Sequence, residues 1–265
     1  MQNSKEMKYI EKITMSTAVL LSSTAFTIPC APLPKEPATT EKGFVVLELF
    51  TSEGCSSCPA ADELMAKLQN EKSDQPRYIL SYHVDYWDRL GWRDAFSDPQ
   101  FSKRQRKYGE WLRDPQIYTP QLVVNGKSVC IGSDEVSIKA IEKEYQTKST
   151  SATLTLRGEQ VADKMNLHYE VLGNNDRSEL LIATVQKYAI TNVKRGENGG
   201  RILHHVQVVR SLSTFPVEHD SEGQQSITLP PGFNAKDFEI IAMIQDTRTG
   251  EITAATRANL PNTVR

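Results

Sequence analysis

The first part of the chain shows the hydrophobic pattern of buried strands separated by a helix. A nearly continuous apolar run occupies residues 44–50, residues 77–84 show a second strand pattern, and between them the apolar positions of residues 59–68 recur at helical spacing. Continuous runs are typical of strands buried on both faces, whereas the helical spacing is typical of a helix packed against a sheet. A strand, a helix and a strand in this order predict a right-handed crossover between parallel strands.

A long insertion and a hairpin complete this first part. Residues 85–118 separate the second strand from the next strand pattern, and within them a helix is expected to begin at Asp98. Asn125-Gly126 is a typical two-residue turn between two short strand patterns, and therefore predicts a hairpin. A last helix is expected over residues 134–145.

Beyond residue 148 the pattern changes to strands with alternating apolar and polar residues, separated by polar turns. Many short strands at regular spacing are typical of a β-sandwich. We therefore predict a boundary between residues 148 and 151, followed by a smaller all-β domain over residues 151–258. The predicted strands are residues 152–157, 165–172, 179–186, 202–212, 225–229, 238–246 and 251–256.

The N-terminal segment has the pattern of a secretion signal, because three lysines precede an uncharged, partly apolar run. We predict a signal peptide over residues 1–25 and a linker over residues 26–42, which places the mature protein in the periplasm or outside the cell. Serine and threonine interrupt the run too often for a spanning helix, so no stable membrane insertion is expected after cleavage. Lipid attachment at Cys30 is the alternative, disfavoured because Pro29 stands where a small residue is normally required.

The composition is that of a soluble globular protein. Of the 265 residues, 38% are hydrophobic and 24% are charged, which fits neither a disordered chain nor a membrane bundle. The formal net charge of -2 provides no field that would attract nucleic acid. The basic run at residues 103–107 is balanced by acidic neighbours, so it predicts a solvated helix face and no nucleic-acid partner.

The strongest chemical signal is the pair Cys55 and Cys58. In the oxidising compartment expected for an exported chain, such a close pair can form a disulfide. The pair lies at the junction between a strand and the helix that follows it. The positive end of this helix is expected to stabilise the thiolate form of Cys55, which favours Cys55 as the attacking residue. Cys58, one turn later, would resolve the mixed disulfide, whereas Glu53 would oppose the thiolate if its side chain turned inward. Cys30 and Cys130 lie outside the motif and are predicted not to take part.

The CxxC motif together with Thr119-Pro120, just before the hairpin, resembles the thioredoxin superfamily. The resemblance implies a cis bond before Pro120 and a loop that packs against Cys55. Together with the strand pattern beyond residue 148, it gives the predicted fold class, which is an α/β thioredoxin-like domain over residues 43–148, with a helical insertion at 85–118, followed by the smaller all-β sandwich-like domain.

At finer grain, several segments resemble a family of secreted bacterial proteins catalogued as domain of unknown function 1223. This resemblance implies a fold and export, and it brings no established substrate. Gly54 stands where thioredoxins commonly carry a tryptophan before the first cysteine, which argues against a generic protein reductase. The matching segments are residues 48–62, 83–88, 90–92, 118–121, 124–126 and 195–198.

The predicted function is an exported thiol–disulfide oxidoreductase or redox-sensing protein, whose partners are protein or peptide thiols and disulfides. The catalytic candidates are Cys55 and Cys58, with Thr119 and Pro120 holding the partner chain. No cofactor is implied. The predicted substrate edge consists of Glu53, Gly54, His83, Asp85 and Trp87.

The principal alternative is a non-enzymatic periplasmic binding protein, which would hold a metal or a peptide at the same edge and use the disulfide structurally. His83, Asp85 and Asp88, with the two cysteines, could supply ligands for copper or zinc. Because a cis-proline loop tends to crowd metals away from such a cysteine pair, we predict no metal.

Two other features have structural interpretations with a bearing on the site. The insertion over residues 85–118 starts and ends beside the expected position of Cys55, so it is predicted to cover that edge. His204 and His205 are adjacent on a strand and point to opposite faces, so they cannot both serve one simple site and are expected to brace the structure.

Overall fold

The computed structural model describes residues 43–260, so the predicted signal peptide, linker and Cys30 lie outside the described part. Within that part, no helix combines the length and the apolar character that crossing a bilayer requires. The elements are β1 (Val45–Thr51), α1 (Cys58–Asn70), β2 (Arg77–His83), a short 3-10 helix (Asp85–Leu90), α2 (Pro99–Leu112), β3 (Gln121–Val124), β4 (Ser128–Ile131), α3 (Glu135–Gln146), β5 (Thr153–Val161), β6 (Lys164–Leu172), β7 (Ser178–Asn192), β8 (Ile202–Pro216), β9 (Glu222–Thr228), β10 (Phe238–Asp246) and β11 (Ile252–Arg257).

Eight strands form one mixed sheet, in the order β11-β10-β7-β8-β2-β1-β3-β4. The strands β1 and β2 are parallel, as predicted, and β3 is antiparallel to β1. The strand β8 joins β2 in parallel at the pair Ser81 and Val208, where the Ser81 hydroxyl donates a hydrogen bond of 2.8 Å to the carbonyl of Val206. The remaining strands, β5, β6 and β9, form a second sheet that is antiparallel.

The predicted fold class is therefore wrong. The molecule is mostly β, and the strands expected in a separate sandwich are divided between the two sheets. Because β7, β8, β10 and β11 extend the sheet that contains β1, the molecule is not an α/β thioredoxin-like domain followed by a smaller all-β domain. Hydrophobic periodicity predicted the individual strands and helices. It could not predict the pairing of β8 with β2, because these strands are far apart in the chain and periodicity is a local signal.

Buried apolar side chains cover both faces of the large sheet. On one face, β1 and β3 pack against α1 and α3 through residues such as Leu49, Met65 and Ile138. Further along the same face, β7 and β10 pack against the second sheet. On the opposite face, α2 packs through Phe101 and Tyr108. The helix that begins at Cys58 and the insertion helix α2 thus lie on opposite faces of one sheet.

Local sequence signals set the ends of two elements near the site. The side chain of Asp98 caps α2 by accepting a hydrogen bond of 2.8 Å from the backbone N–H of Gln100. In the turn between β3 and β4, Asn125 and Gly126 have φ values of 47° and 69°, which these residue types tolerate. The Asn125 side chain also accepts a hydrogen bond of 2.6 Å from the N–H of Val46, which fastens the hairpin to β1.

Candidate functional site

Cys55 and Cys58 form a disulfide at the junction of β1 and α1, which confirms the predicted pairing. The chain turns after β1 through hydrogen bonds of 3.2 Å from Cys55 N–H to the Ser52 carbonyl and from Cys58 N–H to the Cys55 carbonyl. The N–H of Gly54 donates to the Ser52 hydroxyl oxygen over 3.1 Å. This turn holds the two cysteine Cα atoms 5.4 Å apart, in the usual range for a disulfide.

The disulfide is covered by protein. Cys55 is 1% exposed and Cys58 is 0% exposed, whereas Ser56 and Ser57 between them are exposed. The carbonyl oxygen of Thr119 lies 3.8 Å from Cys55 Sγ. In this oxidised form, both cysteines are therefore almost completely shielded from solvent.

One part of the cover comes from the insertion and from the loop before β3. Trp87 in the 3-10 helix packs over Gly54, where an added Cβ would lie 3.2 Å from the Trp87 Cβ. The indole N–H of Trp87 donates a hydrogen bond of 2.8 Å to the Thr119 hydroxyl. The bond between Thr119 and Pro120 is cis, as the resemblance implied. The structure thus brings Gly54, Trp87 and Thr119 together beside the disulfide.

The other residues of the predicted substrate edge lie deeper. Glu53 and His83 are both 0% exposed. Asp85 is partly buried and accepts a hydrogen bond from the Ser102 hydroxyl, which ties the 3-10 helix to α2. Glu53 and His83 therefore belong to the interior, and which residues of this edge a substrate touches stays a prediction.

Five buried ionisable side chains meet beside the CxxC turn, and we call Glu53, Asp62, His83, Asp94 and His205 the ionisable cluster. His205 Nδ1 lies 3.0 Å from Asp62 Oδ2, and its Nε2 lies 3.6 Å from Glu53 Oε1. His83 Nδ1 lies 2.7 Å from Asp94 Oδ2, and the two imidazole rings meet edge to face with centroids 4.9 Å apart. His205 of β8 thus bridges α1 and the turn that precedes Cys55.

The ionisable cluster carries charge although it is buried. Burial lowers the pKa of His205, but the hydrogen bond to Asp62 and the carboxylates of Asp62 and Glu53 outweigh it and raise that pKa to about 9. Burial raises the pKa of Asp94, but the charge and the hydrogen bond of His83 outweigh it and lower that pKa. His205 is therefore an imidazolium at neutral pH, held between carboxylates.

Further hydrogen bonds fasten this cluster to the turn before the disulfide. The indole N–H of Trp92 donates to Glu53 Oε2 over 2.7 Å, and the backbone N–H of Glu53 donates to Asp94 Oδ2 over 2.9 Å. The Thr51 hydroxyl donates to Asp62 Oδ1 over 3.2 Å. The end of β1, the start of α1 and the segment after the 3-10 helix therefore share one polar network.

The segment between β7 and β8 also reaches the disulfide. Asn198 is 0% exposed, and its side-chain amide donates to the carbonyl of Glu53 over 2.9 Å and to the carbonyl of Cys55 over 2.8 Å. Its oxygen accepts a hydrogen bond of 2.9 Å from Arg201. Asn198 thus holds the backbone of the CxxC turn from the second half of the chain.

Residues 43–260 contain no group of three or more His, Cys, Asp or Glu side chains that could hold a metal ion. Asp88 serves a structural purpose instead. Its carboxylate accepts hydrogen bonds of 3.1 Å from the N–H of Asp94 and 2.7 Å from the Ser97 hydroxyl. These bonds shape the segment after the 3-10 helix.

Cys130 lies in β4, outside any disulfide among the described residues. Burial, assisted by the charge of Asp134, raises the pKa of its thiol to about 11. Its thiolate is therefore scarce at neutral pH, which supports the prediction that Cys130 takes no part in exchange.

Sequence reasoning missed Asp62, Asp94, His205 and Asn198. The spacing of Asp62 from Cys58 was a usable signal, because four residues along a helix return a side chain to the same face. No local signal placed His205 or Asn198 at the site, since both arrive only through the pairing of β8 with β2.

Comparison with known proteins shows which family this chain belongs to. The sequence matches the family described as "Protein of unknown function (DUF1223)" over residues 46–245, which is most of the chain. The chain belongs to this family. The region of the DUF1223 match includes the CxxC motif, the cis-proline loop and Asn198. A comparison with curated proteins gives no match.

Solved structures similar to this DUF1223 chain include a crystal structure of a protein from Agrobacterium tumefaciens. It is 26% identical with a TM-score of 0.64, covering 86% of this chain and 98% of that chain. A domain of the outer membrane lipoprotein Omp28 from Porphyromonas gingivalis is 13% identical with a TM-score of 0.31, covering 43% of this chain and 92% of that chain.

Proposed function

We propose that this protein is an exported thiol–disulfide oxidoreductase or redox-sensing protein that acts through Cys55 and Cys58. The proposal rests on one observation. The disulfide joins Cys55 to Cys58, the first residue of α1, and the ionisable cluster lies beside the same turn. Charged groups are costly to bury, and their concentration beside a reactive group is typical of functional sites.

The exchange reaction follows from the position of the two sulfur atoms. In the reduced protein, the Cys55 thiolate, in the turn just before α1, attacks one sulfur of a partner disulfide, and the other partner sulfur leaves as a thiolate. Cys58 then loses its proton and attacks Cys55 Sγ. This step breaks the mixed disulfide, releases the second partner thiolate and restores the Cys55–Cys58 bond, so two electrons pass from the two cysteines to the partner, whose disulfide is reduced.

The partner is proposed to be a protein or peptide that approaches over the exposed Ser56 and Ser57. These are the exposed residues of the motif, and the Thr119 carbonyl faces Cys55 from the other side. A chain bound along the Thr119-Pro120 loop would displace Trp87 from its hydrogen bond to the Thr119 hydroxyl and thereby uncover Cys55. The proposed location is the periplasm or the cell exterior, since the disulfide fits an oxidising compartment.

Trapping of covalent partners tests the proposal. In the exporting cell, Cys58→Ser is expected to accumulate mixed disulfides at Cys55 that reductant dissolves, because the internal resolving thiol is gone. Cys55→Ser is expected to give few adducts, since Cys58 is 0% exposed and is packed as the first residue of α1. The double variant Cys55→Ser, Cys58→Ser sets the background and retains Cys30 and Cys130. Absence of adducts above that background, with a wild-type disulfide that resists dithiothreitol, would establish the structural-disulfide alternative.

A further inference from the structure

The loop over residues 193–201, which connects β7 to β8, places a carboxylate on the CxxC turn. Glu197 Oε2 accepts a hydrogen bond of 3.0 Å from the backbone N–H of Ser56, the residue directly after Cys55. The contact is anchored on the neighbouring residue, because Asn198 is fully buried and donates to the carbonyl of Cys55 over 2.8 Å. Glu197 is therefore held over the start of α1 by a residue that cannot easily move away.

The backbone of this loop is itself well braced. Val193 N–H donates to the Arg201 carbonyl over 3.0 Å, and Gly200 N–H donates back to the Val193 carbonyl over 2.8 Å. Gly196 has a φ of 78°, a conformation that favours glycine, and an added Cβ there would lie 3.1 Å from the Trp92 Cβ. Close packing against Trp92 and internal hydrogen bonds thus fix the position from which Glu197 reaches Ser56.

Glu197 is charged at neutral pH. Hydrogen bonds from Ser56 lower the pKa of this carboxyl group, and the side chain is exposed to solvent. The N–H groups at the start of a helix are also the groups that stabilise a thiolate at that position. Because Ser56 directly follows Cys55, the Glu197 carboxylate would be, in the reduced protein, a second negative charge one residue along the backbone from a Cys55 thiolate.

We propose that Glu197 is a positioning residue that restrains the Cys55 thiolate, by occupying the N–H of the adjacent Ser56 and by placing a like charge at the CxxC turn. Like charges at short range disfavour the second ionisation, so the reduced protein keeps a larger fraction of Cys55 as the neutral thiol. Because this inference rests on the proposed function for its biological meaning, its consequence there is a slower attack by Cys55 and a bias toward the disulfide.

Other charged groups around the CxxC turn stay the same when Glu197 is altered. Glu53 and Asp62 approach from the preceding turn and from α1, and the imidazolium of His205 lies between them. Arg201 is engaged with Asn198 on the loop itself. A change at Glu197 alone therefore reports the contribution of its own carboxylate.

The test compares Glu197→Gln with wild type after chemical reduction of the purified protein. Glutamine keeps the size and an acceptor oxygen for Ser56, and removes the charge. The thiolate fraction of Cys55, read from the ultraviolet absorbance of the thiolate across pH, is expected to rise about two- to fivefold at pH 7, the range expected for one charge at a helix N-terminus. Salt of about 0.5 M should shrink the difference, because the carboxylate is exposed.

Glu63→Gln is the matched control, since it removes the same charge from an exposed position further along α1. It is expected to leave the thiolate fraction near the wild-type value. An unchanged or lower fraction in Glu197→Gln, or an equal rise in both variants, would overturn the inference. The measurement needs neither a partner nor turnover, so failure of the proposed function in the trapping experiment and failure of this restraint are separate results.

Discussion

Replacing His205 with glutamine is expected to lower the free energy of unfolding by about 3 kcal/mol at pH 6. In the folded protein, the pKa of His205 is raised to about 9, whereas an unfolded histidine titrates near 6.5. A raised pKa contributes stability that is fully present below about pH 6.5 and is lost as the pH rises through about 9. Wild type should therefore lose this stability between those two values, and His205→Gln should lack that loss.

The neighbouring residue supplies the control for this prediction. His204 is exposed and lies on the opposite face of β8, so His204→Gln is expected to change stability by less than about 0.5 kcal/mol. Urea denaturation at several pH values between 6 and 10 measures all three proteins. Equal losses in the two variants, or a wild-type stability that stays flat from pH 6.5 to 9, would show that His205 is not a buried imidazolium.

Replacing Arg104 with methionine is expected to destabilise the protein by about 3–5 kcal/mol, the usual cost of leaving a buried charge without its partner. Arg104 of α2 donates from Nε to Glu48 Oε1 over 2.8 Å, and its Nη2 lies 2.7 Å from the same oxygen. The Glu48 side chain is 0% exposed. Arg104 also donates to the Tyr108 hydroxyl over 2.9 Å and to Gln245 over 3.1 Å, so methionine would strand several buried polar groups at once.

Two further variants show whether this loss comes from the buried pair. Arg106→Met removes the same charge from an exposed position on α2 and is expected to cost less than about 0.5 kcal/mol. The double variant Glu48→Leu, Arg104→Met removes both charges and should recover much of the loss, because an apolar pair of similar volume is often as stable as a buried ion pair. If the double variant were no more stable than Arg104→Met alone, the lost free energy of unfolding would come from packing and not from the unpaired charge.

The local elements of this fold are readable from the sequence, whereas the assembly of the sheet is not. The continuous apolar run before Cys55, the cap at Asp98 and the turn at Asn125 each predicted an element that the structure contains. The pairing of Ser81 with Val208 joins strands from both halves of the chain into one sheet, and no local feature of the sequence indicates it. Strand partners far apart in sequence are selected by tertiary packing. The fold class inferred from the different hydrophobic patterns before and after residue 148 was therefore wrong.

The same division applies to the candidate site. The CxxC pair and the loop at Thr119-Pro120 were identified from spacing and from a family resemblance. His205 and Asn198 were beyond reach, because each meets the CxxC turn from a strand or loop whose position depends on the merged sheet. Glu53 was recognised as a residue whose inward orientation would matter, and the structure places it inward, bound to Trp92.

The central claim is that the Cys55–Cys58 disulfide exchanges with thiols under physiological conditions. Its most direct test is an equilibrium redox titration of the purified protein in dithiothreitol and glutathione buffers, with the two thiols counted by alkylation and mass spectrometry. We predict a reduction potential between about -270 and -120 mV, the range of known exchange catalysts. A potential below about -300 mV would identify a structural disulfide and contradict the proposed function.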